Sequence, residues 1–85
     1  MPGERERRIL EVLAVATREL YGLDLVAAGA AKRRWLYVVL GRMEEGGLVE
    51  GREEDGGPPP RLPRRLYRIT DAGREALLPI ATVIP

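Results

Sequence analysis

Histidine, cysteine, serine, asparagine, glutamine and phenylalanine are all missing from this chain of 85 residues. Without cysteine there is no disulfide framework and no thiolate metal site. Losing histidine as well removes the usual zinc ligands. With serine also gone, the commonest nucleophiles and the imidazole bases of enzyme sites are excluded. Carboxylates remain, but Glu44-Glu45 and Glu53-Glu54-Asp55 stand in strings typical of solvated faces. The chain therefore reads as a non-enzyme that uses no cofactor and no metal. The start, Met1-Pro2-Gly3-Glu4-Arg5-Glu6-Arg7-Arg8, is charged and lacks the apolar centre of a signal peptide. No apolar run approaches the roughly 18 residues of a membrane span. These absences predict a cytoplasmic protein with no membrane partner. Its residues 1–85 form a single domain, near the lower size limit for folding without staples.

What is present is unevenly placed. The net charge is only +1, yet Lys32, Arg33, Arg34 and Arg42 fall in residues 32–49 against Glu44 and Glu45 alone. Residues 60–70 carry Arg61, Arg64, Arg65 and Arg68 with no acid. Between them Glu50, Glu53, Glu54 and Asp55 face a single Arg52. Two separated basic blocks on a nearly neutral chain predict a localised anionic partner, double-stranded DNA. Arg5, Arg7 and Arg8 interleave with Glu4 and Glu6 and read as ordinary surface.

Ile9, Leu13, Ala16 and Leu20 recur at helical spacing and predict a first helix over 4–20. A short second helix over 23–28, with Leu25 and Val26 inward, closes at Gly29. The third helix, 32–45, places Leu36, Val39, Leu40 and Met43 on its core face and Arg34, Tyr37, Val38 and Gly41 on the opposite arc. Its charges are reversed with respect to the macrodipole, cations first and acids last. That arrangement suits an external anion better than the helix itself. A mid-helix glycine at 41 fits either a closely approaching neighbour or sequence drift, and Gly46-Gly47 provides the stop. Leu48-Val49-Glu50 and Arg65-Leu66-Tyr67-Arg68-Ile69-Thr70 read as antiparallel strands joined by the proline-rich loop 55–63. Thr70-Asp71 offers caps for a last helix ending near Leu78.

The predicted fold is therefore α+β, mainly α: a winged helix-turn-helix of three helices, a two-stranded hairpin wing and a short C-terminal helix. In such a domain the third helix enters the major groove and the wing lies on the flanking backbone. The expected contacts are Lys32, Arg33, Arg34, Tyr37 and Arg42 on the helix, with Arg61, Arg64 and Arg65 on the basic wing, 55–65. Adenine's usual bidentate partners, Asn and Gln, are absent, so base reading rests on Arg or Lys at guanine, Arg34 first among them. Trp35 reads as a packing residue.

Three patches resemble the PadR family of transcriptional regulators. Tyr21-Gly22-Leu23-Asp24-Leu25 is similar to its Tyr-Gly-x-Glu-Leu turn. Residues 35–49, from Trp35 to Val49, resemble its Leu-Tyr…Leu…Leu-Glu…Gly-Leu recognition helix and first strand. Arg65 to Gly73 resembles its closing Tyr-x-Leu-Thr-x-x-Gly signature. The resemblance implies a DNA-binding regulator, usually a repressor, acting as a homodimer on a near-palindromic operator. Tyr37 takes the place of the family's recognition-helix tyrosine, and Trp35 stands where the family usually has a small polar residue. The family's C-terminal dimerisation segment would here be confined to the few residues after Leu78. The tail is the most apolar ten-residue stretch of the chain, so Leu77, Leu78, Ile80, Val83 and Ile84 are expected at a dimer contact. The alternative is a winged-helix protein–protein module that does not bind DNA.

Overall fold

The computed structural model describes residues 2–54 and 64–78. Helix α1 spans Glu4–Val15, strand β1 Leu20–Tyr21, α2 Gly22–Ala27, α3 Arg33–Glu45, β2 Val49–Glu54, β3 Arg64–Ile69 and α4 Asp71–Ala76. The sheet is antiparallel with order β1-β3-β2. This is the winged-helix arrangement expected from the periodicities, with two differences near residue 20.

The first helix ends at Val15 rather than continuing to Leu20, and Ala16 is already extended, with φ −70° and ψ 139°. The hairpin also gains a third strand, because Leu20 pairs with Tyr67 and Tyr21 with Leu66. Both differences have one cause. The outer edge of β3 would otherwise present unpaired backbone groups, and residues 20–21 close it. The periodic stripe still identifies burial correctly: Leu20 is buried beside Ile9 and Leu13, but a strand delivers it instead of a helix.

Helices α2 and α3 stop by the same device. Gly29 and Gly47 both sit at φ 78°, a left-handed conformation that glycine adopts without steric cost. The amides that follow close the turns: Ala30 N–H donates to the Leu25 carbonyl at 3.0 Å and Leu48 N–H to Met43 at 2.9 Å. Gly29 and Gly47 themselves donate to Val26 and Glu44, which completes a Schellman motif at each end. Helix α4 starts on Thr70, whose Oγ1 accepts from Gly73 N–H at 3.0 Å and donates to the Gly47 carbonyl at 2.6 Å.

The core brings together Ile9, Leu10 and Leu13 of α1, Leu25 of α2, Leu36, Val39, Leu40 and Met43 of α3, Val49 and Tyr67. Each fully buried Leu or Ile contributes roughly 1.5–3 kcal/mol of transfer free energy. The core face of α3 is the one the spacing predicts. Its opposite arc therefore points outward, with Tyr37 and Val38 53% and 61% exposed. Gly73 packs so closely that a Cβ there would lie 2.2 Å from the Leu48 carbonyl oxygen, which seats α4 against the entry to β2. No helix among the described residues is long and apolar enough to cross a membrane.

Candidate nucleic-acid interface

The N-terminal half of α3 carries a set of cations that the rest of the molecule leaves alone. Lys32 is the N-cap, and no side chain caps the helix. Lys32, Arg33 and Arg34 are exposed, and none has an ion-pair partner among the described residues. The first turn contains no acid, and the positions that could offer i+3 or i+4 partners are Trp35, Leu36, Tyr37 and Val38. The positive end of the helix dipole adds to the same field.

Two depressions flank this end of the helix. One is lined by Tyr21, Gly22, Leu23, Asp24, Tyr37, Arg64 and Arg65, and it brings the α3 tyrosine to the root of the wing. Tyr37 rests on the start of α2: a Cβ built on Gly22 would lie 2.8 Å from the Tyr37 hydroxyl and 2.9 Å from Cε1. Gly22 is thus the slot in which the ring lies. The other depression is lined by Glu4, Arg5, Arg8, Lys32, Arg34 and Trp35, with the Arg5 guanidinium 4.6 Å from the centre of the Trp35 ring.

The wing root is held by side chains as well as by its ladder. Tyr21 Oη donates to both carboxylate oxygens of Glu54 at 2.7 Å, a bond that raises the phenol above its ordinary pKa. Arg64 stacks over the same ring at 5.4 Å. Arg65 donates to Glu44 Oε2 at 2.6 Å, which brings a cation to the C-terminal end of α3 and offsets the acids there. Its guanidinium is held in the charged form by this bond. Gly51 leaves room for the contact: a Cβ there would lie 2.6 Å from Arg65 Nη2 and 2.9 Å from Glu44 Oε1. Further along the sheet, Arg68 pairs with Glu50 at 2.6 Å and Arg52 with Glu19 at 2.7 Å.

The residues expected at a DNA contact therefore separate into groups. Lys32, Arg33, Arg34 and Tyr37 are exposed at the start of α3; Tyr37 lines one depression with Arg64, and Lys32 and Arg34 line the other. Arg65 lies beside them, but its side chain is taken by Glu44. Arg42 sits two turns further along α3, in a different depression that it shares with Pro2, Glu6, Met43, Leu48, Glu75 and Leu78. Arg61 and the loop 55–63 lie outside the described residues. Of the expected dimer contacts, Leu77 packs partly against the core and Leu78 is 64% exposed. Ile80, Val83 and Ile84 also lie outside the described residues.

The sequence reading takes Arg5 as ordinary surface and Glu44 as a solvated acid, and it gives Gly22 no packing role. Arg5 stands one turn before Ile9, at the end of the α1 stripe nearest α3, but it is exposed rather than buried. Glu44 and Gly22 depend on how β3 and α2 pack, which no local pattern encodes. The glycine at 41 has no close neighbour, because a Cβ there meets nothing within 4 Å.

A model of the transcriptional regulator PadR-like family matches residues 9–78. Three solved structures are similar. A PadR family transcription regulator from Clostridium difficile is 21% identical with a TM-score of 0.72, over 88% of this chain and 80% of that one. PadR of Bacillus subtilis, solved in complex with operator DNA, is 23% identical with a TM-score of 0.72, and 94% of this chain aligns with 46% of it. A PadR family transcriptional regulator from Eggerthella lenta is 30% identical with a TM-score of 0.68, over 87% and 68%. This chain thus spans less than half the length of the Bacillus protein. No curated protein matches.

Proposed function

Because the chain belongs to the PadR-like family of transcriptional regulators, we propose that it binds double-stranded DNA sequence-specifically and represses transcription. Residues 1–85 act as one winged-helix DNA-binding domain in the cytoplasm. The N-terminal half of α3 lies in the major groove and the wing on the flanking backbone. The observation that carries this reading is the unpaired cluster Lys32, Arg33 and Arg34 at an uncapped helix start, beside an exposed Tyr37 and Arg64. A protein gains nothing for its own fold from that arrangement, while a phosphate backbone meets it directly. PadR of Bacillus subtilis, a protein of similar fold, was solved in complex with operator DNA, which supports double-stranded DNA as the partner.

Arg34 is assigned to a guanine edge, and Lys32, Arg33, Tyr37 and Arg64 to phosphates and sugars. Arg65 ties the wing to α3 through Glu44, and Arg61 extends the contact along the loop. Two copies pair across a two-fold axis, which presents two α3 helices to a near-palindromic site. Leu78 stands exposed beside the depression lined by Pro2, Met43 and Leu48. It is the described end of an apolar tail that also carries Ile80, Val83 and Ile84, and this tail supplies the subunit contact.

The test is affinity for duplex DNA across a salt series. Each neutralised phosphate contributes about −0.9 to the slope of log K against log salt, so a dimer should give a slope steeper than about −4. A flat dependence would sink the DNA reading and favour a protein-binding winged helix. Light scattering coupled to size exclusion, on the full chain and on one ending at Leu78, tests the dimer. A full-length monomer at micromolar concentration refutes it.

A further inference from the structure

Arg5 was read from the sequence as ordinary surface, and its position in the fold argues otherwise. Its neighbours on α1 are each occupied: Arg8 pairs with Glu4 at 2.7 Å and Arg7 with Glu11 at 3.7 Å. Arg5 has no ion-pair partner among the described residues. Instead its guanidinium sits over Trp35, 4.6 Å from the ring centre. Trp35 itself is partly buried and packed against the core, so the platform is fixed from below. The depression they form with Lys32 and Arg34 holds four cations against one carboxylate, Glu4, and that carboxylate already serves Arg8.

We propose that Trp35 positions Arg5 as a phosphate contact, so that the start of α1 joins the start of α3 in one anion-binding surface with Lys32 and Arg34. The inference rests on the DNA-binding reading above. Stacking on an indole uses the face of a guanidinium and leaves its N–H donors, which lie in its plane, free for phosphate oxygens. A flexible arginine must be immobilised when it binds, whereas this one is already held, so less conformational freedom is lost. The geometry accounts for Trp35 better than packing alone. A core-edge residue needs only apolar area, but an aromatic face turned towards the single unpaired cation of α1's first turn needs a flat ring. Position 35 is also one where the family resembled usually has a small polar residue, which has no ring on which to seat Arg5. The clamp adds the start of α1 to the basic surface that the start of α3 offers to the phosphates.

Binding to a random-sequence duplex over a salt series tests the clamp, using the full chain and its Arg5→Ala, Trp35→Tyr and Trp35→Leu variants. Arg5 is exposed, so its truncation leaves the fold intact. Arg5→Ala is expected to make the slope shallower by about 0.9 per bound subunit. Trp35→Leu should reproduce that loss with Arg5 still present, and Trp35→Tyr should restore most of it, since tyrosine keeps a ring face. Trp35 is the only tryptophan, so its emission should change when the duplex is added, and less so in Arg5→Ala. An unchanged slope in Arg5→Ala, with a steep slope in the parent, overturns the clamp and leaves the DNA reading standing. A flat slope in the parent overturns the DNA reading itself. Should Trp35→Leu lose its thermal transition, the Arg5→Ala slope and the parent's emission decide the matter alone.

Discussion

Lys32-Arg33-Arg34 and Arg64-Arg65 with Arg68 are basic runs of similar density, and the fold treats them in opposite ways. On β3, cross-strand register hands acids to the cations: Glu50 stands opposite Arg68 and pairs with it, and Glu44 reaches Arg65 from the end of α3. Among the described residues only Arg64 is left without a carboxylate partner, and it lies over Tyr21. At the start of α3 the helical neighbours are apolar and no described strand brings a carboxylate, so among the described residues all three cations stay unpaired. Charge along a sequence is therefore not charge at a surface. Two of the wing's acids, Glu50 and Glu54, are engaged in holding the sheet and the wing root through Arg68 and Tyr21.

The largest break in this comparison is expected from Arg34→Ala. It should cost about 1–3 kcal/mol per half-site and relax preference at one or two base pairs. Affinities against a panel of single-base variants of the operator measure this, and equal weakening on every sequence would reassign Arg34 to a phosphate. Next comes Arg64→Ala, the uncommitted cation of the wing root. It should weaken all sequences alike and make the salt slope shallower by about 0.9 per subunit. Arg65→Ala, by contrast, should change the slope less than Arg64→Ala, because Arg65 already has a carboxylate.

A smaller effect is expected within the fold. A double-mutant cycle of Glu44→Gln and Arg65→Gln, read by thermal or urea unfolding, should give a coupling of about 0.2–1 kcal/mol, the range of half-exposed pairs. The smallest effects belong to the outer sheet. Arg68→Gln should leave the salt slope unaltered, and a reduced slope would show that Glu50 does not hold the side chain away from DNA. Glu19 is held below its ordinary pKa of 4.5 chiefly by its hydrogen bond to Arg52. Its depressed value means its contribution is present above that ordinary pKa and fades as pH falls through the lowered one. The stability gap between the parent and Glu19→Gln should accordingly be present at neutral pH and close in acid, which unfolding curves at the two conditions would register.

Much of this was legible from residues alone, wherever a local rule decides the outcome. Gly29 and Gly46-Gly47 mark helix ends because only the left-handed glycine completes a Schellman turn, and Thr70 marks a start because its hydroxyl reaches the third amide. The core face of α3 follows from spacing. Where the outcome depends on a distant partner, the sequence is silent. Leu20 keeps the period of a helix but joins a strand, because β3 offers it an edge. Arg65 looks like any other wing cation until Glu44 arrives from 21 positions away. Arg5 stands one turn before Ile9 yet is exposed, and its place over Trp35 depends on how α1 crosses α3.

Gly41 remains, on the outward arc of α3 with nothing within 4 Å of where its Cβ would be. A glycine in a helix interior lowers helix stability by about 0.8–1 kcal/mol relative to alanine, and no described residue of this chain needs the space. The empty volume becomes useful only when another molecule is pressed against the helix. In the proposed complex Gly41 would work as a depth gauge: an alanine or valine at this position would hold the DNA off by a methyl or an isopropyl group. The sequence preference of that complex would then be set partly by how far in the helix is allowed to travel.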